Sequence, residues 1–368
     1  MKHLLLLFWG IVLATTVGHA ADWTNSRGGQ NLNGIASSVI PTTVKLKWTY
    51  PIGSEIKSSP VIQGSNIVVG GTDGTVYCLN LAGKIRWKFK TDNSIEAPAL
   101  ILNNRVYVGN LSGNFYAIDL LTGRQIWKYF IDNQIMAGAN WWNDGKETYL
   151  LVGGYDYFLH CIHLSTGKLK WKYEAKNYLN ATAAIEKDRI VFGGCDGLLH
   201  VVNLRTGKAA SATEISTYVA SSVALENGLA YVGDYEGKVS CFDYNKKTFK
   251  WKFDVPNKEI PFISAPCVLG NRVLIGCRDR YFYCLNKTTG KILWKKNMGN
   301  PVDASAVADW KNVLVSSMRG DLILLNQVNG GKIWSYELGS PVYGNPAVSN
   351  GLIVVATQDG NVYCLTKK

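Results

Sequence analysis

Charge is scarce in this 368-residue sequence: Asp, Glu, Lys and Arg make up 18%, against 47% hydrophobic and 11% aromatic residues. That balance excludes a disordered chain, which needs high charge and few aromatics. Histidine is scarcer still, with 5 in all, and His3 and His19 fall in the first 20 residues. His160, His163 and His200 lie on repeated strands, where packing or turn support is the expected role. No GxSxG, P-loop, HExxH or defensible paired-carboxylate motif occurs, so the common hydrolase, nucleotide-binding and zinc-protease signatures are missing. The 8 cysteines include neither a CxxC nor an adjacent Cys-Cys, which argues against zinc ribbons and thioredoxin-type redox chemistry. Beyond the first 20 residues no apolar run is long enough to cross a bilayer as a helix. No transmembrane segment is expected, and the mature product should be soluble. A helical stripe of 3.6-residue period is likewise missing outside that start.

What the first 20 residues hold is an export signal. Lys2 gives the positive start, the stretch from Leu4 to Val17 is apolar, and Gly18-His19-Ala20 predicts cleavage after Ala20. The first cysteine is Cys78, so nothing near the boundary marks a lipoprotein, and free export to a periplasm or the exterior is expected. Cleavage removes Lys2 and leaves 38 basic against 27 acidic residues, a net charge of 38 − 27 = +11. Export permits disulfides, but Cys78, Cys161, Cys241, Cys284 and Cys364 recur at one strand position, where Ala117 and Val201 also occur. A site shared with alanine and valine asks for a small buried apolar group. Cys195, Cys267 and Cys277 fall elsewhere, and a pair involving Cys277 stays open.

Glycine is plentiful, at 37, and it keeps time with tryptophan. Tryptophans at 48, 87, 127, 171, 251, 294 and 334 are spaced by 39, 40, 44, 80, 43 and 40 residues. The gap of 80 is two units of 40, with Ser211 at the missing position. Gly83, Gly123, Gly167, Gly290 and Gly330 each stand four residues before their tryptophan, and Gly207 stands equally far before Ser211. Between these marks lie short strands rich in Val, Ile, Tyr and Leu. Turns such as Asp73-Gly74, Asp196-Gly197 and Asp359-Gly360 separate them and are expected to be type I′. A period of about 40 residues built from four antiparallel strands is the signature of a β-propeller blade. Eight units result, so the fold class is all-β, an eight-bladed propeller over residues 44–368, with residues 21–43 as an extended N-terminal segment. The strand from Val44 to Tyr50 carries Trp48 but has no blade before it, and the last copy, ending Asn361 to Leu365, lacks its tryptophan strand. Pairing the two closes the ring and removes a sheet edge. Insertions stand at Asn140–Gly145 and near Val255–Pro261, where a specific function can be grafted.

Lys88, Lys128, Lys172, Lys252 and Lys295 each follow a blade tryptophan, so the positive charge is spread round a rim of outer strands, where lysine protects an edge. That is not the single basic face of a nucleic-acid binder, and no nucleic acid is expected.

The run Ala117-Ile118-Asp119-Leu120-Leu121-Thr122-Gly123-Arg124-Gln125-Ile126-Trp127 resembles the tryptophan-docking motif of PQQ-like propellers, with looser copies ending at Trp87, Trp171, Trp251, Trp294 and Trp334. Over about residues 44–368 the chain is similar to the quinoprotein alcohol dehydrogenase-like superfamily. It looks most like the short exported members, among them the non-catalytic outer-membrane assembly factor of the BamB type. The opening Asp22-Trp23-Thr24-Asn25-Ser26-Arg27-Gly28 resembles the Asp-Trp-x-x-x-Arg-Gly start of exported bacterial PQQ-like repeat proteins. For the enzymes, the resemblance implies pyrroloquinoline quinone on the ring axis between a tryptophan and a disulfide of adjacent cysteines, beside calcium held by oxygen donors. Here the cysteine pair is missing. The innermost strands begin at Lys57, Glu96, Met136, Asn180, Val219, Ile263, Asp303 and Tyr343, so Glu96, Asn180 and Asp303 are the only suitable calcium donors. They belong to the second, fourth and seventh blades, never to neighbours. Lys57, Glu96, Asn180, Asp303 and Tyr343 are therefore read as a polar funnel rim, with calcium and PQQ as the less favoured alternative.

The expected function is a non-enzymatic scaffold, a monomeric propeller presenting blade loops to a protein or polymer partner in the cell envelope. A reduced PQQ- and calcium-dependent oxidoreductase is the alternative, and a polysaccharide-binding propeller the third. Trp141, Trp142 and Trp310 would anchor a partner if they face solvent; burial in an oversized blade is the competing expectation.

Overall fold

Runs such as Asn66–Gly70 and Thr75–Asn80 are apolar without alternation inside their end residues, at Ile67 to Val69 and Val76 to Leu79, whereas Ile85–Lys90 alternates between apolar and charged residues. The first kind must be covered on both faces and the second on one, and that difference builds the molecule. The computed structural model describes residues 22–219, 221–255 and 259–368. The expected signal segment, residues 1–20, lies outside these. The described residues form 32 strands in eight four-stranded antiparallel sheets. In each sheet the first strand is short and lies against the first strand of the next sheet around the axis. The middle two are sandwiched between neighbouring sheets, and the fourth faces outward with every second side chain exposed. This is the eight-bladed propeller that the spacing implies. Val44–Pro51 pairs antiparallel with Asn361–Lys367, setting Trp48 opposite Cys364 and completing the eighth blade.

The tryptophans hold each blade to the next. The Trp87 indole lies under Gly123 of the following blade, where a Cβ would come within 2.7 Å of the ring and the backbone already has φ +71°. The same contact joins Trp48 to Gly83, Trp127 to Gly167, Trp171 to Gly207, Trp251 to Gly290 and Trp294 to Gly330. Only a residue without a side chain, in a left-handed turn, admits an indole this closely. Indole nitrogens donate to carbonyls of the same turns, Trp87 to Leu120 O at 2.8 Å and Trp127 to Leu164 O at 3.1 Å. Trp334 has no such turn to meet, because the eighth blade is closed from the other terminus. Its indole donates instead to Pro41 O at 2.9 Å. At the junction where Ser211 replaces tryptophan, the opposing turn has Lys247 at the glycine position, at φ +57°. There a carboxylate does the bridging: Glu186 accepts from Asn227 N, Gly228 N and Tyr244 Oη.

The recurring cysteines lie directly opposite the docking tryptophans, Cys78 against Trp87, Cys161 against Trp171 and Cys364 against Trp48. A small side chain there leaves room for the bulge that the strand makes at that point. All eight cysteines are buried and unpaired, so the open pairing of Cys277 does not form. Its thiol lies 3.5 Å from Ile260 O. The lysines after the tryptophans reach back over aromatic rings, Lys172 to 3.9 Å from Phe158 and Lys252 to 3.7 Å from Phe249. They therefore add cation–π attraction to edge protection.

The Asp-Gly turns differ from the type I′ expectation. Gly74, Gly197 and Gly360 have positive φ, but Asp73, Asp196 and Asp359 do not. The aspartate instead accepts from the backbone two residues on and from a ring four residues on, as Asp73 does from Thr75 N and Tyr77 Oη. In two blades the left-handed position is not glycine: Tyr157 has φ +73° and Arg280 φ +75°. An L-residue there costs about 1–2 kcal/mol, partly offset by the unfolded-state entropy that glycine would add. Arg280→Gly is therefore expected to stabilise the protein by about 0.5–1 kcal/mol, read as a raised midpoint in urea unfolding at unchanged slope; a lowered midpoint contradicts it.

Candidate functional site

Residues 22–43 cross the innermost strands of most blades and close one end of the central channel. Trp23 N, Ile101 N, Ile185 N, Leu225 N and Val268 N all take part in backbone bonds between this segment and the blades. At its centre Arg27 is only 1% exposed. Its guanidinium donates to Ala306 O at 2.8 Å, Pro266 O at 2.6 Å and Leu32 O at 3.4 Å. Among the described residues no carboxylate pairs with it, and burial pushes its pKa down to about 10, so it keeps its charge at neutral pH. Arg27 and Ser26 form the floor of a funnel of about 200 Å³.

Small polar side chains tie the blades together above that floor. Thr182 N donates to Ser222 Oγ, Ala265 N to Ser305 Oγ, Ser305 N to Asn345 Oδ1 and Asn345 N to Ser59 Oγ, each at 2.7–3.1 Å. The last of these spans the closure from blade eight to blade one.

The expected rim residues are placed as follows. Lys57, Asn180, Asp303 and Tyr343 line the funnel, as do Met136 and Ile263. Glu96 is bonded to Lys57 Nζ at 2.8 Å, which raises the lysine's pKa. Arg278 grips Asp303 with both Nε and Nη2, at 3.0 and 2.7 Å, and its own pKa is raised. Val219 is not on the rim. It is fully buried, and its side chain packs against Gly193 as Ile95 does against Gly70 and Leu179 against Gly153, so it stands one residue before the rim position; Ala220, next along, lies outside the described residues.

This donor set does not fit calcium. A hard cation needs several free oxygen ligands, yet Glu96 and Asp303 are each engaged by a cationic side chain. Asn180 Oδ1 is the remaining donor of the three, buried without a partner. Among the described residues no group of three or more Asp, Glu, His or Cys gathers to hold a metal. Among the described residues no indole and no cysteine lines the funnel, so the residues there do not fit a sandwich of PQQ between a tryptophan and a disulfide.

The histidines support turns. His160 lies between Asp156, at 2.8 Å, and Tyr129 Oη, at 3.0 Å, and His200 repeats this with Asp196 and Tyr173. Both sets are buried between blades. His163 pairs with Glu147 at 2.9 Å.

A different feature of the funnel face escaped sequence reasoning. In every blade two loop positions meet through a backbone bond at this face, for example Tyr155 N to Gln134 O, Cys195 N to Tyr178 O and Tyr235 N to Tyr218 O. Three consecutive blades carry tyrosine at one or both of these positions. Tyr155 stacks on Tyr178 at 4.5 Å, Tyr157 adds a contact to Tyr178 at 5.2 Å, and Tyr218 meets Tyr235 edge-on at 4.5 Å. Tyr157, Tyr178 and Tyr235 are 41, 38 and 40% exposed. Aligning the loops rather than the strands would have found this arc. The expected anchors fare differently. Trp142 is buried, Trp141 half-buried, and Trp310 is 75% exposed but on a turn at the opposite face.

The family model described as outer membrane protein assembly factor BamB matches residues 33–140, 195–301 and 278–368. No curated protein matches the sequence. Solved structures share the fold, among them three of different kinds. BamB from Moraxella catarrhalis is 17% identical with a TM-score of 0.71, covering 89% of this chain and 98% of that one. The computationally designed Ika8 protein is 17% identical at 0.76, covering 86% and 97%. The quinohemoprotein alcohol dehydrogenase from Comamonas testosteroni is 12% identical at 0.79, covering 96% and 82%.

Proposed function

Because the chain belongs to the family of the outer membrane protein assembly factor BamB, we propose that it is an exported, non-enzymatic scaffold of the cell envelope whose funnel face docks a protein partner. The tyrosine arc of blades three to five carries this reading. Tyrosine offers large, rigid contact area with a polar tip, and it is enriched where interfaces concentrate their energy. The arc is held by backbone bonds between loops, so a partner meets a surface already in shape. Beside it, Arg278–Asp303 and Lys57–Glu96 are partly exposed ion pairs that suit a polar rim around an aromatic centre. The funnel carboxylates Glu96 and Asp303 are each held by a cationic side chain, which leaves neither free as a base. Among the described residues no helix is long and apolar enough to cross a membrane.

The test is a photo-crosslinking amino acid placed at Tyr235 or, as a control, at Trp310 on the other face, in cells that make the protein. One protein adduct is expected from Tyr235 and not from Trp310, reduced at least tenfold by Tyr178→Ser with stability unchanged. Equal adducts from both positions, or none from Tyr235, would remove the proposal. Saturable, calcium-dependent binding of PQQ, followed by absorbance, would replace it with the oxidoreductase.

A further inference from the structure

Charge is sorted between the two ends of the blades. At the end away from the funnel lie the turns that join each blade's first strand to its second and its third to its fourth. Together they hold 12 basic and 4 acidic residues. The turns and loops at the funnel end hold 5 basic and 13 acidic ones among the described residues. The outer-strand lysines are spread round the rim, whereas the turns carry their positive charge to one face.

On that face every acid is already engaged. Asp144 pairs with Lys170 at 3.7 Å, Glu147 with His163 at 2.9 Å and Asp188 with Arg189 at 3.0 Å. Asp309 is buried and accepts from Ile40 N, Lys311 N and Asn312 N. Of the 12 basic turn residues Lys287 is paired, to Glu226. Among the described residues the other 11 have no carboxylate within ion-pair distance, and all 11 are exposed, on seven of the eight blades. The face also carries apolar tips. Among the described residues five large hydrophobic side chains other than tyrosine are more than half exposed. Val39, Leu121, Trp310 and Val328 lie here, and Phe130 lies at the funnel end. Three of the four share one corner at blade seven. Ile40 N donates to Asp309 Oδ2 at 2.7 Å and Gln327 Nε2 to Trp310 O at 2.6 Å, which ties the neighbours of Val39 and Val328 to the Trp310 turn.

We propose that this face rests on an anionic phospholipid bilayer, with Trp310, Val39 and Val328 entering the headgroup layer and the unpaired lysines and arginines facing lipid phosphates. Basic side chains near such a surface are attracted by its negative potential. An indole is favoured at headgroup level, where its ring is in an apolar setting and its N–H stays hydrated. Charges distributed round a ring of seven blades match a planar polyanion better than a linear one. A nucleic acid would reward the charge, through its phosphates, but not the aliphatic tips. The face is independent of the tyrosine arc, so a partner on the funnel and a bilayer opposite it stand or fall separately.

Co-sedimentation with vesicles decides it, using the protein without residues 1–20, as expected after export. Vesicles of phosphatidylcholine with roughly one-third phosphatidylglycerol should bind it at least tenfold more tightly than phosphatidylcholine alone. Raising salt from about 0.05 M to about 0.5 M should remove that preference. Lys168→Glu with Lys208→Glu should weaken anionic binding at least tenfold. Brominated acyl chains should quench the protein's fluorescence, and Trp310→Ser should abolish most of that quenching, since Trp310 is the exposed tryptophan. These variants should keep the parent's thermal unfolding midpoint, because the side chains lie on exposed turns. Equal binding to neutral vesicles, undiminished binding after the two charge reversals, quenching unchanged in Trp310→Ser, or tighter binding of duplex DNA than of anionic vesicles would overturn the assignment.

Discussion

Replacing Arg27 with alanine should lower the unfolding free energy by about 2–5 kcal/mol, although the side chain touches no acid and lies outside every blade. The guanidinium joins Pro266 O of blade six, Ala306 O of blade seven and Leu32 O of its own segment. Taking it away returns the desolvation penalty of one charge. It also leaves buried carbonyls without donors, at about 1–3 kcal/mol each, and a cavity besides. The second effect wins, because the pocket is shaped to the group: a Cβ on Gly34 would come within 2.4 Å of it. Arg27→Met keeps most of the volume and isolates the polar share, so it should lose less than Arg27→Ala and more than a surface change. Urea unfolding of the three proteins measures this. Loss below about 0.5 kcal/mol in both variants, the range of ordinary surface changes, would mean that the N-terminal segment is not part of the cooperative fold.

Trp127→Ala should cost a further about 3–5 kcal/mol, as expected for a buried aromatic truncated in a packed junction. The more discriminating comparison is with phenylalanine. Trp127 Nε1 donates to Leu164 O at 3.1 Å, whereas Trp171 Nε1 has no acceptor. Trp127→Phe loses volume and one of the two hydrogen bonds to Leu164 O, which keeps Arg105 Nη1 at 3.2 Å; Trp171→Phe loses volume and removes an unsatisfied donor. Trp171→Phe should therefore be milder by about 1 kcal/mol, the net worth of one hydrogen bond. Equal losses at the two sites would show that the indole nitrogen contributes nothing to docking.

Much of this was legible from the order of residues. The tryptophan and glycine period, the strand left over at the start and the one missing at the end fixed eight blades and their closure. The degenerate copy was readable too: Ser211 has no indole to offer, and Lys247, not glycine, stands in the turn it would have met. These features are local or periodic, and a repeat that stacks on itself makes periodicity sufficient. The partners of the rim carboxylates were not readable, because Lys57 and Glu96 stand in different blades and Arg278 reaches Asp303 across a blade boundary. Nor was the fate of Trp141, Trp142 and Trp310, three similar residues that ended half-buried, buried and exposed.

The sequence by itself determined the strands, the turns and the number of sheets, since each is set by neighbours a few residues apart. Only the tertiary structure decided where the tyrosines of four separate loops would gather, which charges would be neutralised and which left open, and that one arginine would seal the channel. Those outcomes depend on the curvature of the closed ring, which brings together side chains that the chain itself keeps far apart.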